Sequence, residues 1–385
     1  MTIPVTANQP VMSAAAAVRN LTVQSGVLLN LNSFNLDVNG DLSAPGGVSP
    51  SFISGGGTLN LLGTAKSIGG NLSTVLPVSI TGTYSLAGRT VLGNLTLSGT
   101  GNVTANGQTL VVSAALNTTG SGTLTMTSAL DSVLVTGAGI FGGGSTVGLL
   151  TAGYLKIGGS FSQTSGTSQE AFHANGSHIT ELGAAAVRVV TFAQPGTTIA
   201  TSGFQDLIVS TATGGLTYNS DIYLKGTLTS TPSAGTPLLS TTGFRSVVVF
   251  GGLNVTGLTL DGGPLDATVN TITAFDNVTF VNASVAQTQF RLSGNGQPTP
   301  YTFTNLQFLT APNIGVGGLY IALNDLDGAT SGVLTVNLAS PTPATATEWT
   351  TLGGSTLNWP AVAPGKTWTG AVSIDWNNPG NWNPA

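Results

Sequence analysis

The chain has 385 residues, of which 6% are charged and 41% hydrophobic, with a net charge of −5 and no cysteine. Soluble domains usually carry about 25% charge, yet no run of about 18 apolar residues offers a spanning helix, and the apolar content is too high for disorder. The 9 Lys and Arg never cluster, which removes the electrostatic footprint of a nucleic-acid binder, and without cysteine there are no disulfides, thiolate metal sites or Cys nucleophile.

The N-terminus, "MTIPVTANQPV", lacks a basic n-region and an apolar h-region, so it reads as a chain whose leader has been removed or as a piece of a larger one. From residue 20 onward a single pattern takes over. "NLTVQSGVLLNLNSFNLDVNGDLS" (20–43) alternates apolar and polar residues in short bursts, broken by Gly or Asn. In "NLTLSGTGNVTANGQTLVVS" (94–113), Leu95 and Leu97 share one side, then Val103 and Ala105, then Leu110 and Val112. Each pair has period 2, predicting strands of about three to five residues joined by tight corners. The pattern returns in 122–140, 206–230, 247–263 and 272–284, and an Asn/Asp-Leu/Val tetrad recurs at 20, 35, 94, 206, 277 and 305.

Short strands without intervening helices allow a sandwich, a barrel or a solenoid. A membrane barrel needs strands of about 10 residues and aromatic girdles, and the aromatic residues here are few and uneven. A sandwich needs long Greek-key connections, whereas repeats of one small unit mark stacked coils. The low charge points the same way. Like charges stacked at about 4.8 Å would repel, while Asn, Thr and Ser can hydrogen-bond in ladders. The expected fold is all-β, a right-handed parallel β-helix over 1–340, followed by a short Pro/Trp-rich C-terminal segment over 341–385. At about 20 residues per coil, roughly 15 to 18 coils would form a rod on the order of 70 to 85 Å long.

Several stretches carry candidate chemistry. "EAFHANGSHITE" (170–181) holds both histidines. A hairpin at Asn175-Gly176 would set His173 opposite His178 and Glu170 opposite Glu181, a metal-ligating arrangement; a plain corner is the alternative. In "NDLDGATSG" (324–332), Asp325 and Asp327 precede Gly328 in an oxygen-rich turn that could take calcium but lacks the bidentate Glu of an EF-hand loop. No other cofactor is expected. "LDGGPLD" places Asp261 and Asp266 near a corner, while Asp206 and Asp221 sit in strand-like stretches. Carbohydrate hydrolysis normally needs a carboxylate pair about 5 to 9.5 Å apart, and no acidic cluster is evident. Gly-rich runs such as "FGGGSTVG" (141–148) read as corners.

The composition changes at "ASPTPATATEWT" (339–350). All five tryptophans, Trp349, Trp359, Trp368, Trp376 and Trp382, lie in or after it. They fit a cap over the end of the solenoid, a docking surface for the next molecule, or a platform for sugars.

"TWTGAVSIDWNNPGNWNPA" (367–385) resembles the Trp- and Asn-rich lead-in between modules of large bacterial secreted or cell-surface proteins with β-helical repeats. In that group a run like "DWNNPGNW" precedes an Asp-rich link, an "IP…NQPV" stretch and "NLTV…SG…L" coils. This chain begins with "TIPVTANQPVMSAAAAVRNLTVQSGVLLNLN" (2–32), so its C-terminus resembles the step before its own N-terminus. "FHANGSHITELGAAAVRVVTFAQPGT" (172–197) and "FQDLIVS…GGLTYNSDIYLKGTLTS" (204–230) are similar to that group's coil blocks. The resemblance covers most of the chain and implies an adhesin- or fibre-like secreted protein with no catalytic residues to carry over. The Asp-rich link is missing, which leaves both covalent joining and docking of neighbours open. The resulting expectation is a non-enzymatic extracellular filament subunit that partners with itself head to tail. It binds no nucleic acid and inserts in no membrane. A glycan-binding surface adhesin is the alternative, with a polysaccharide-active enzyme behind it.

Overall fold

The computed structural model describes the chain apart from residues 6–8, 46–50, 184–187, 211–214, 231–234, 329, 331, 361–366, 369–381 and 384–385; at 51–52, 367–368 and 382–383 it describes the backbone alone. The architecture is a parallel β-solenoid with three faces. One turn runs Val78–Ile80, Thr83–Ala87 and Thr90–Leu92, and the next begins with Leu95–Leu97 stacked in register on Val78–Ile80. The first face is a 14-stranded sheet from Ala16–Val18 to Gln307–Phe308. The second is a 12-stranded sheet from Leu28–Asn30 to Thr271–Phe275, with a 3-stranded sheet in the last turns.

The alternation read from the sequence becomes columns. Leu36, Leu59, Val78, Leu95 and Leu116 are successive register partners, all buried. Each such side chain contributes about 1.5–3 kcal/mol relative to exposure. Between the inward columns runs an outward one, Asp37, Asn60, Ser79, Thr96 and Asn117, in which Asn60 Nδ2 donates to Asp37 Oδ1 at 2.7 Å. Neutral groups thus occupy most of the positions where a stacked column of ions would be unfavourable.

The recurring Asn/Asp tetrad marks a corner. Asn20, Asn35 and Asn94 each accept, through Oδ1, the backbone N–H of Asp41, Thr58 and Ala115 on the next turn, at 2.9, 3.0 and 3.0 Å. Asp206 does the same for Thr227 at 2.7 Å. Corner glycines are needed because turns meet backbone to backbone there. A Cβ on Gly82 would collide with the Gly63 carbonyl oxygen one turn below.

The third face is broken. Seven strands, Thr2–Ile3 to Thr123–Thr125, form its first part and six, Ile222–Leu224 to Trp349–Leu352, its last. Between them it is carried by isolated bridges, Met126 to Leu150, His173 to Gly203 and Phe204 to Leu224, while the other two faces continue. The intervening sequences, "GGGSTVGLLTAG" (142–153), "TSGTSQEAFHANGSH" (164–178) and "AQPGTTIATSGFQ" (193–205), are rich in turn formers instead of alternating apolar residues. The core beneath is filled by Phe141, Phe161, Phe172, Phe192 and Phe204, all buried, with contacting ring centroids 4.7 to 5.6 Å apart.

Parallel pairing passes the compositional boundary at 340/341. Trp349–Leu352 pairs with Leu319–Asp325, and Thr356–Asn358 with Thr335–Ala339. The Pro- and Thr-rich stretch is a connection within the stack, and the stack continues beyond it. Among the described residues the one antiparallel pair is Thr367–Trp368 with Trp382–Asn383, and no helix is long and apolar enough to cross a membrane.

Candidate functional site

The three connections that replace the third face border an open cleft of about 530 Å³, lined by Val147, Glu170, His173, Thr197, Thr198 and Ile199. Cross-links between successive connections hold the middle one in place. Thr146 N–H and Oγ1 both donate to the Glu170 carbonyl, at 3.0 and 3.2 Å, and Thr146 Oγ1 accepts the His173 N–H at 2.7 Å. From the other side, Ser202 Oγ donates to the Gln169 carbonyl at 2.8 Å and accepts the Phe172 N–H at 3.2 Å.

The Glu170 carboxylate accepts the Ala200 N–H at 3.0 Å and the Ser145 hydroxyl at 2.9 Å. These two bonds favour the ionised form and hold its pKa below the ordinary carboxylate value. His173 is buried, with Nδ1 2.9 Å from the Thr201 carbonyl oxygen and Nε2 2.6 Å from Lys225 Nζ. A carbonyl can only accept, so Nδ1 carries the hydrogen and Nε2 accepts from the lysine. Lys225 reaches this contact from the corner just after Ile222–Leu224, the first strand of the resumed third face, and burial lowers its pKa.

The structure separates the four residues expected to meet across a hairpin. Residues 175–178 do form a turn, closed by the His178 N–H on the Asn175 carbonyl at 3.2 Å with Gly176 at φ 65°, but no hairpin follows. Ile179–Leu182 pairs in parallel with Tyr154–Ile157 and Asp206–Val209, so neighbouring turns occupy both of its edges. Glu170 and His173 face the cleft, whereas His178 is completely buried with its ring edge-on to Phe172 at 6.2 Å. Neither His178 ring nitrogen has a hydrogen-bond partner among the described residues, and burial pushes its pKa down to about 4. Glu181 lies on the second face. There its carboxylate meets Lys156 Nζ at 2.6 Å, Ser210 Oγ at 2.5 Å and the Tyr154 hydroxyl. Burial raises the Glu181 pKa, but the bonds from Lys156, Ser210 and Tyr154 outweigh it and leave the pKa lowered.

The remaining acidic candidates are engaged with the chain itself. Asp325 is buried and accepts the N–H of Leu334 at 2.8 Å and of Asp327 at 3.3 Å, so its carboxylate organises the oxygen-rich turn at Asp325–Gly328. Asp221 accepts the Ser246 N–H at 2.9 Å, Asp261 the Asn282 amide at 2.8 Å, and Asp266 pairs with Arg291 at 2.9 Å. Among the described residues, no group of three or more His, Cys, Asp or Glu is gathered that could hold a metal ion.

Trp349 and Trp359 pack partly buried against the core. Trp359 lies 6.0 Å from the Phe308 ring and 5.8 Å from the Tyr320 ring, and its Nε1 donates to the Pro343 carbonyl at 3.1 Å. Trp349 Nε1 donates to the Ala346 carbonyl at 3.1 Å. Trp368 and Trp382 are register partners in the antiparallel pair, and Trp376 lies outside the described residues.

Sequence reasoning missed Val147, Thr197, Thr198, Ile199 and Lys225. Val147 sits in a run that reads as a corner. One signal was present: Ile199 in "TTIA" has Thr197 and Thr201 two positions away on either side, so it has no period-2 apolar partner to bury against. No protein-family model, curated protein or solved structure matches the chain.

Proposed function

We propose that the chain is a non-enzymatic structural protein of the extracellular surface, a β-solenoid subunit of a fibre assembled head to tail. The observation that carries this reading is the self-complementarity of the turns. From Leu36 to Thr118, successive turns present to one another inward apolar columns, a mostly neutral outward ladder and corner amide acceptors. The end turn therefore offers a second copy what the interior turns offer each other. Ala16–Val18, the terminal strand of the 14-stranded sheet, is largely exposed. An end-to-end contact of this kind is heterologous and does not close, which produces filaments.

In this reading Trp349 and Trp359 anchor the C-terminal segment to the stack, and Trp368, Trp376 and Trp382 supply the docking contact with the neighbour. Supporting the surface location are the low charge, the absence of cysteine and the resemblance to secreted β-helical repeat proteins. Because parallel pairing runs through Asn358, the informative truncation removes 361–385 and leaves the stack intact. Negative-stain microscopy should show long fibres from the full chain and short rods from the truncated one. Fibres that survive the truncation refute the docking role, and isolated rods from the full chain refute assembly.

A further inference from the structure

Most of the outer surface of this rod is spent on ladders between turns, but the cleft over the interrupted face is built differently. Its walls come from three successive connections, cross-linked to one another and resting on a cluster of five buried phenylalanines. Rigid scaffolds that position irregular loops are where binding residues concentrate. A volume of about 530 Å³ falls in the range of small-molecule sites.

The lining defines the ligand. Val147 and Ile199 are aliphatic and exposed, Ile199 by 88%, on a molecule whose outward positions are mainly Thr, Asn and Ser. Glu170 Oε1 and Oε2 have each accepted one hydrogen bond, from Ala200 and Ser145. A carboxylate has about four acceptor sites, so roughly two remain for a ligand. Both fixed donors favour its charged form, so the site offers a negative acceptor and disfavours anions. Thr197 and Thr198 add hydroxyl-bearing side chains. His173 has both nitrogens committed, to Thr201 and Lys225, and serves as a fixed wall.

We propose that this cleft binds an uncharged sugar residue of a glycan. Its hydroxyls donate to Glu170, and its C–H face packs on Val147 and Ile199. Such a residue pairs an apolar ring face with several donors, which is what the lining complements, and Glu170 sets the preference against uronic and sialic acids. His173 and Lys225 act as positioning residues that hold the wall in one orientation.

The test is an array of immobilised neutral, uronic-acid-bearing and sialylated oligosaccharides, probed with the full chain and with the Glu170→Gln and Ile199→Ser variants. The full chain should bind at least one neutral oligosaccharide. Both variants should weaken that binding, Glu170→Gln by about tenfold or more through loss of a charge-assisted acceptor. Because Ile199 is solvent-exposed, the Ile199→Ser thermal midpoint should match the parent, which separates lost binding from lost fold. An array with no neutral ligand, ligands confined to acidic sugars, or binding unchanged in both variants would overturn the proposal. The inference is independent of the fibre reading. Both variants should form filaments like the parent in negative stain whatever the array shows.

Discussion

The Tyr84 hydroxyl accepts the Gly63 N–H at 3.0 Å inside the solenoid, and the same oxygen lies 3.1 Å from the carbonyl oxygens of Val38 and Gly40. One buried phenol thus reaches across three successive turns, and burial raises its pKa. Removing the hydroxyl leaves the Gly63 N–H without this partner where water does not reach, whereas the Val38 carbonyl keeps the Leu62 N–H. Tyr84→Phe should therefore destabilise the chain by about 1–3 kcal/mol. Urea unfolding followed by circular dichroism measures it, and an unchanged midpoint would show that the Gly63 N–H finds another partner.

His178 sets an acid limit. Its folded pKa is lowered to about 4 by burial, against about 6.5 when unfolded. The unfolded chain therefore binds the proton first. The stability from keeping this ring neutral is fully present above about pH 6.5 and is lost as the pH falls toward about 4. The loss is on the order of 3 kcal/mol. His178→Leu should flatten the fall in thermal midpoint between pH 6.5 and 4.5 without lowering the midpoint at pH 7, because it also removes two unpartnered nitrogens. An equally steep fall in the variant would assign the acid sensitivity elsewhere.

The neutral outer ladder can be probed by charging it. Thr96 and Asn117 are direct register partners on the first face, and both point outward. Thr96→Glu or Asn117→Glu alone should cost little. The double variant should lose about 0.2–1 kcal/mol beyond the sum, from like charges directly opposite. Salt should shrink that excess. Strict additivity across the cycle would mean that charge repulsion does not shape this composition.

Much of the fold was legible because a strand buried on one face writes its geometry in period 2. Leu95, Leu97, Val103, Ala105, Leu110 and Val112 are inward and buried where the alternation put them. The corner Asn and Asp were visible as a repeat, although the task of Asn20, Asn35, Asn94 and Asp206, accepting an N–H from the following turn, becomes apparent only once turns are stacked. The candidate site was legible only in part. "EAFHANGSHITE" drew attention by its histidines, but an Asn-Gly turn looks alike whether it closes a hairpin or rounds a coil. Parallel pairing decided between the two, and it depends on residues more than 20 positions away. The loss of a strand from the third face was hidden for the same reason. Gly- and Ser-rich corners resemble Gly- and Ser-rich loops, and the phenylalanines that fill the gap come from three separate turns.

Because each level is registered on the one beneath it, this molecule has a natural increment of change. An insertion or deletion of one residue within a strand reverses which side chains meet solvent until a corner or a bulge, such as the one between Gly252–Val255 and Thr271–Phe275, restores the register. Gaining or losing a complete circuit leaves every contact type in place. Length can therefore drift in evolution, or be engineered, in whole-circuit steps without redesign of the interior, which makes reach the most freely adjustable property of this rod.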